Sequence, residues 1–135
     1  MKIYLLVSIV LFTSCQTKQV SKASKTDCEK FRTGSFLHES QGDPLIYKIE
    51  RRDSVQTEIV DKTGNHVNLR ISWTGACSYE LTFLDQHINN ADSISDIGKA
   101  LKVKVDIVDV RNDTCFVIAD NGVQKLPGIV YIDKK

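Results

Sequence analysis

Val67-Asn68-Leu69-Arg70-Ile71-Ser72-Trp73 is followed, after Thr74-Gly75-Ala76, by Cys77-Ser78-Tyr79-Glu80-Leu81-Thr82-Phe83. In both runs every second residue is apolar and the residues between them are polar. Only an extended chain, whose side chains point alternately to opposite faces, gathers such a set on one side. Two such runs joined by a short Gly-containing connection predict an antiparallel hairpin with one apolar face.

The rhythm continues outward from this hairpin. Towards the N-terminus, residues 34–39 read as a short strand, closed by the turn-rich Ser40-Gln41-Gly42-Asp43-Pro44. Leu45, Tyr47 and Ile49 then alternate with Ile46, Lys48 and Glu50; after Arg51-Arg52-Asp53-Ser54, Val55, Thr57 and Ile59 alternate with Gln56 and Glu58. Lys62-Thr63-Gly64-Asn65 reads as a hairpin turn, because Gly and Asn tolerate positive φ.

Towards the C-terminus, residues 86–98 break the alternation. Their apolar members Ile88, Ala91, Ile94 and Ile97 stand three apart, which predicts a short helix. Leu101, Val103, Val105 and Ile107 resume period two, and Val108 and Val110 fall on the opposite parity, which predicts a β-bulge at Ile107-Val108. Asn112-Asp113, Asp120-Asn121-Gly122 and Pro127-Gly128 punctuate the last strands. Consecutive strands with tight turns and no βαβ spacing give an all-β fold, a small antiparallel meander closing into a barrel or strongly curled sheet.

With 135 residues, 41% hydrophobic and 26% charged, the chain holds one domain and is not disordered overall. Without Lys2 it carries 17 basic and 17 acidic residues. A neutral chain lacks the concentrated basic face from which nucleic-acid binders draw affinity, so no nucleic-acid partner is expected.

The N-terminus reads as an export address. Met1-Lys2 is a minimal basic region, IYLLVSIVLF over residues 3–12 is an apolar run too short to span a bilayer, and Thr13-Ser14-Cys15 brings small residues up to a cysteine. This is a lipobox arrangement, in which the thiol receives a diacylglyceryl group and the peptidase cuts just before it. Residues 1–14 are therefore expected to be a lipoprotein signal peptide and Cys15 the lipidated residue. Residues 15–27 are the expected flexible tether and 28–135 the barrel-like domain. The implied location is the bacterial cell envelope, anchored by lipid. Gln16, in place of an aspartate retention signal, leans the sorting towards the outer membrane.

Assigning Cys15 to lipid leaves Cys28, Cys77 and Cys115, which permit one intramolecular disulfide in three pairings. Cys28–Cys77 is preferred, since it would pin the start of the domain to the central hairpin. Cys115, among apolar neighbours, is then a buried free thiol.

No GxSxG, HExxH, P-loop or dinucleotide fingerprint is present, and His38, His66 and His87 are scattered, so no catalytic residue, metal or cofactor is assigned. His38-Glu39 could work as a base pair at a strand end, but an exposed strand end is the favoured reading. Trp73 and Tyr79, flanking one turn, are the best candidates for contacting a ligand, against the plainer role of core packing.

Cys28-Glu29-Lys30-Phe31-Arg32-Thr33-Gly34-Ser35-Phe36, Tyr47 to Arg51, and Trp73-Thr74-Gly75-Ala76-Cys77-Ser78-Tyr79-Glu80-Leu81 resemble short Gram-negative lipoproteins of unassigned function. Their shared pattern is C-x-x-F-[KR]-T-G-x-F followed by W-x-x-x-C-x-Y-x-L, and the likeness covers most of the mature chain. Both motif cysteines are present, so the resemblance implies the Cys28–Cys77 bridge. The label "DNA topoisomerase IV" sometimes given to such proteins does not fit a neutral, exported chain of this size. A second likeness is to lipocalin-type barrels, with Gly34-Ser35-Phe36 at their G-x-W position and phenylalanine in place of tryptophan.

Together these readings predict a non-enzymatic domain that binds a small apolar ligand or a protein partner at the envelope. The alternatives are a structural module with a filled core and, less favoured, an envelope hydrolase or redox enzyme, which would need polar residues converging in a pocket. A hollow barrel with Trp73 and Tyr79 facing the cavity would favour the ligand.

Overall fold

The computed structural model describes residues 23–59, 64–88 and 96–135. The signal segment, Cys15, most of the tether and Lys62-Thr63 lie outside them. Eight antiparallel strands follow one another around a closed barrel: β1 (Gly34–Ser40), β2 (Ile46–Arg52), β3 (Val55–Ile59), β4 (His66–Trp73), β5 (Ser78–His87), β6 (Lys102–Arg111), β7 (Thr114–Asp120) and β8 (Lys125–Ile132). Each strand pairs with its chain neighbours, and β8 closes on β1 through Phe36 opposite Ile132 and His38 opposite Val130. Among the described residues each of the eight strands has two partners, so the barrel has no edge strand, although β5 beyond Thr82 is paired with β4 only.

Local chemistry explains the turns. Asp53-Ser54 and Asn112-Asp113 are two-residue hairpin loops, and Asp53 and Asn112 sit at φ 52° and 55°, where their short polar side chains are tolerated. The expected bulge is present at Val108, between the pairs Ile107–Val117 and Asp109–Phe116.

A second bulge explains why the period-two pattern fails early in the 86–98 segment. Leu69 faces Phe83 and Asn68 faces Asp85, leaving Leu84 as the extra residue. Gln86 and His87 then continue β5 opposite Val67 and His66, so the strand outlasts its alternation. The helix of this region, α2, is Asp96–Ala100, at the far end of the expected range.

One further helix, α1 (Lys25–Glu29), begins within the segment read as tether. Ser24 caps it, its Oγ accepting from the Asp27 amide at 3.2 Å, as a serine N-cap does for an otherwise orphaned donor. The helix is too short to persist alone. Tertiary packing holds it: Cys28 and the following Phe31 are fully buried, and Ala23 packs against the same cluster. Cys28 is disulfide-bonded to Cys77 across a sequence separation of 49. α1 thus plugs the barrel end where β1, β3, β5 and β7 begin. Phe31 and Phe36 meet there, with ring centroids 5.8 Å apart, and Ile71, Ile107 and buried Cys115 complete this half of the core.

Candidate functional site

The other half of the barrel is hollow. Above the plug lies a cavity of about 260 Å³, just under the roughly 300–1,000 Å³ typical of small-molecule sites. Its wall is divided by chemistry. From β4 to β8 it is apolar, with Leu69, Leu81, Phe83, Val103, Val105 and Val117 among the lining residues. From β1 to β3 it carries His38, Arg51, Gln56 and Glu58. Gly98 and Leu101, at α2, line the end away from the plug, and Lys99 lies over the Phe83 ring with its Nζ 5.7 Å from the centroid.

The polar wall follows from register. Cross-strand partners share a face of the sheet, Arg51 is opposite Gln56, and Ile49 is opposite Glu58. Once Ile49 turns into the core, Arg51 goes with it two residues on, and Gln56 and Glu58 must follow. The face of β3 that the alternation marks as polar is therefore the inner one, while Val55, Thr57 and Ile59 lie on the outside. Thr57 there donates to Asn68 Oδ1 at 2.7 Å. This reverses the apolar-in expectation for that strand.

Arg51 and Gln56 are each only 1% exposed, so nearly every polar atom they carry needs a partner within the protein. Arg51 Nε donates to Gln56 Oε1 at 2.7 Å, Nη1 to the Phe31 carbonyl at 2.5 Å and Nη2 to Tyr79 Oη at 2.7 Å. Gln56 Nε2 in turn donates to Glu58 Oε1 at 2.8 Å. The guanidinium also lies over the Phe36 and Tyr79 rings, 5.3 and 4.7 Å from their centroids. A continuous polar chain therefore runs from the plug, through Arg51 and Gln56, to a carboxylate in the cavity. Burial raises the Tyr79 hydroxyl pKa, with Arg51 opposing it.

His38 also faces inward, against the expectation of an exposed strand end. It stands two residues beyond Phe36 on β1 and therefore shares its face. Burial holds its imidazole pKa below the ordinary value; Glu58 opposes that shift and Arg51 adds to it. Its ring fits because position 128 is glycine: a Cβ there would stand 3.0 Å from His38 Nε2 and 3.0 Å from the Glu39 carbonyl. Nε2 is 3.2 Å from Ser40 Oγ. Among the described residues no carboxylate hydrogen-bonds the other ring nitrogen, the contact that orients a base in nucleophilic sites.

No family model matches the chain, and no curated protein or solved structure does so either. The residues themselves carry the reading.

Trp73 and Tyr79 are paired across β4 and β5 with ring centroids 4.8 Å apart, but they play different parts. Tyr79, 3% exposed, forms part of the cavity lining and holds Arg51. Trp73 packs at the plugged end, where the Arg32 guanidinium lies 4.3 Å from its ring centroid, and it does not line the cavity. His66 and His87, distant in sequence, stack at 4.8 Å across the same two strands. Among the described residues no group of three or more histidine, cysteine, aspartate or glutamate side chains is placed to hold a metal ion.

Arg51, Gln56 and Glu58 carry no sequence motif that marks them as site residues, and His38, expected at an exposed strand end, is turned inward. Parity with Phe36 and Ile49 is the signal that marks His38 and Arg51. For Gln56 and Glu58 the local pattern points to the wrong face, and only pairing with β2 corrects it.

Proposed function

We propose that this protein is a lipid-anchored envelope protein whose barrel binds a small, largely apolar ligand without catalysing its conversion. The observation that carries this reading is the half-filled barrel. A domain of this size benefits from filling its core, yet a cavity of about 260 Å³ stays open between an apolar arc and a short polar wall. A mostly apolar pocket with a few convergent polar groups is the usual form of a ligand site. The lipobox at Cys15 supplies the anchor, and the neutral charge disfavours a nucleic-acid partner.

The test is titration of the mature protein with N-phenyl-1-naphthylamine, a probe that brightens in apolar surroundings. Ala119→Phe, which places a ring in the cavity from β7, should abolish the enhancement while keeping the far-UV spectrum. Unchanged binding by that variant would remove the cavity from the account. Mass spectrometry of the mature chain tests the anchor: an N-terminal Cys15 with a diacylglyceryl thiol and an acylated amine is expected, and an unmodified N-terminus elsewhere would overturn it.

The second reading is a protein partner. It is favoured by a groove on the outer face of β7 and β8, where Phe116, Ile118, Pro127 and Ile129 lie with Val108. Loss of a cross-linked envelope partner on Phe116→Glu, with probe binding intact, would support it.

A further inference from the structure

A buried arginine in a ligand cavity ordinarily signals a carboxylate ligand, since its planar fork matches two oxygens. Here that fork is already engaged. Nε is held by Gln56 Oε1 at 2.7 Å, Nη1 by the Phe31 carbonyl at 2.5 Å and Nη2 by Tyr79 Oη at 2.7 Å, so every nitrogen that would clamp a carboxylate has a protein acceptor. All three acceptors are uncharged. The negative charge that answers Arg51 is Glu58, reached through the Gln56 amide at 2.8 Å.

These contacts set the charge of the cavity wall. Arg51 contributes one positive charge and Glu58 one negative, and His38 is held towards its neutral form by burial. An incoming carboxylate would lose its hydration and meet Glu58, and the arginine in the wall already donates from each of its three nitrogens to a protein acceptor. An incoming ammonium would meet Glu58 but lose its hydration beside an arginine and an already balanced pair. A hydroxyl or amide head avoids both costs. It can donate to Glu58, whose carboxylate has acceptor capacity beyond its single bond from Gln56, while its chain lies along Leu81, Val105 and Val117.

We infer that the cavity selects an electrically neutral amphiphile, with a hydroxyl or amide head and a short apolar body, over acids and amines of the same chain length. This rests on the proposed ligand-binding role of the barrel and narrows it to a chemical class.

Octan-1-ol, octanoate and octylamine share one apolar chain, so comparing them isolates the head group. Each is titrated into the wild-type mature protein at pH 7.5, with displacement of N-phenyl-1-naphthylamine as readout. Octanol is expected to displace the probe at concentrations at least tenfold lower than either charged analogue. Octanoate or octylamine matching or beating octanol would overturn the inference while leaving the cavity as a binding site. Failure of the probe and of all three compounds to bind would instead overturn the ligand-binding role itself. Glu58→Gln removes the negative charge but keeps an amide there; octanoate should gain at least tenfold in that variant. No gain would remove Glu58 as the discriminating group.

Discussion

Breaking the Cys28–Cys77 bridge should lower stability by an amount set mainly by the unfolded chain. The bridge closes a loop across a sequence separation of 49, enclosing β1 to β4. In the chain-entropy treatment a loop of that length restricts the unfolded ensemble by about 14 cal/mol/K, or about 4 kcal/mol at 25 °C. A small domain is stable by roughly 5–15 kcal/mol in all, so the unbridged protein should still fold, with little margin. The perturbation is the double variant Cys28→Ala/Cys77→Ala, followed by urea unfolding monitored through Trp73. With a slope of about 2 kcal/mol/M for a protein of this size, the midpoint should fall by about 2 M. The plug should loosen as well, because Cys28 anchors α1 and the nearby Phe31 carbonyl accepts from Arg51. Amide exchange at Phe31, whose N–H is bonded to the Cys28 carbonyl at 3.1 Å, should accelerate more than exchange in β7. A midpoint within about 0.5 M of wild type, at unchanged slope, would refute the loop-closure argument.

Two further outcomes follow from groups that the barrel buries. His38 has a folded pKa below its ordinary value of 6.5, so between those values the unfolded chain binds more protons and stability falls as the pH drops through that window. His38→Gln should flatten the loss of unfolding free energy between pH 7.5 and pH 5, and an unchanged slope in urea titrations would assign the acid sensitivity to other groups. Burial pushes the Cys115 thiol up to about 12, which leaves a thiolate fraction on the order of 10⁻⁴ at pH 8. Its peptide should stay unlabelled by iodoacetamide in the native protein and label fully in guanidinium; rapid native labelling would contradict its burial beside Val130 and Tyr79.

The local architecture is legible in neighbouring residues. Alternation at Val67–Trp73 and Cys77–Phe83, the two-residue turn at Asn112-Asp113 and the parity slip at Val108 are short-range features. Each is written in residues that lie next to one another, and a meander joins neighbours in the chain. The Cys28–Cys77 bridge is different: it is the preferred one of three pairings, and the fold brings its two members together across a separation of 49. Other features depend on contacts between segments far apart in the chain. Closure of β8 onto β1 joins strands that are far apart in the chain, and no local pattern encodes it. The register of β2 on β3 overrode the apparent polarity of β3 and carried Gln56 and Glu58 inside. Alternation states which residues share a face, but not which face is buried when polar side chains can satisfy one another. Arg51 shows why: its burial is tolerable only with Phe31, Gln56 and Tyr79 around it, and those partners come from three separate segments of the chain.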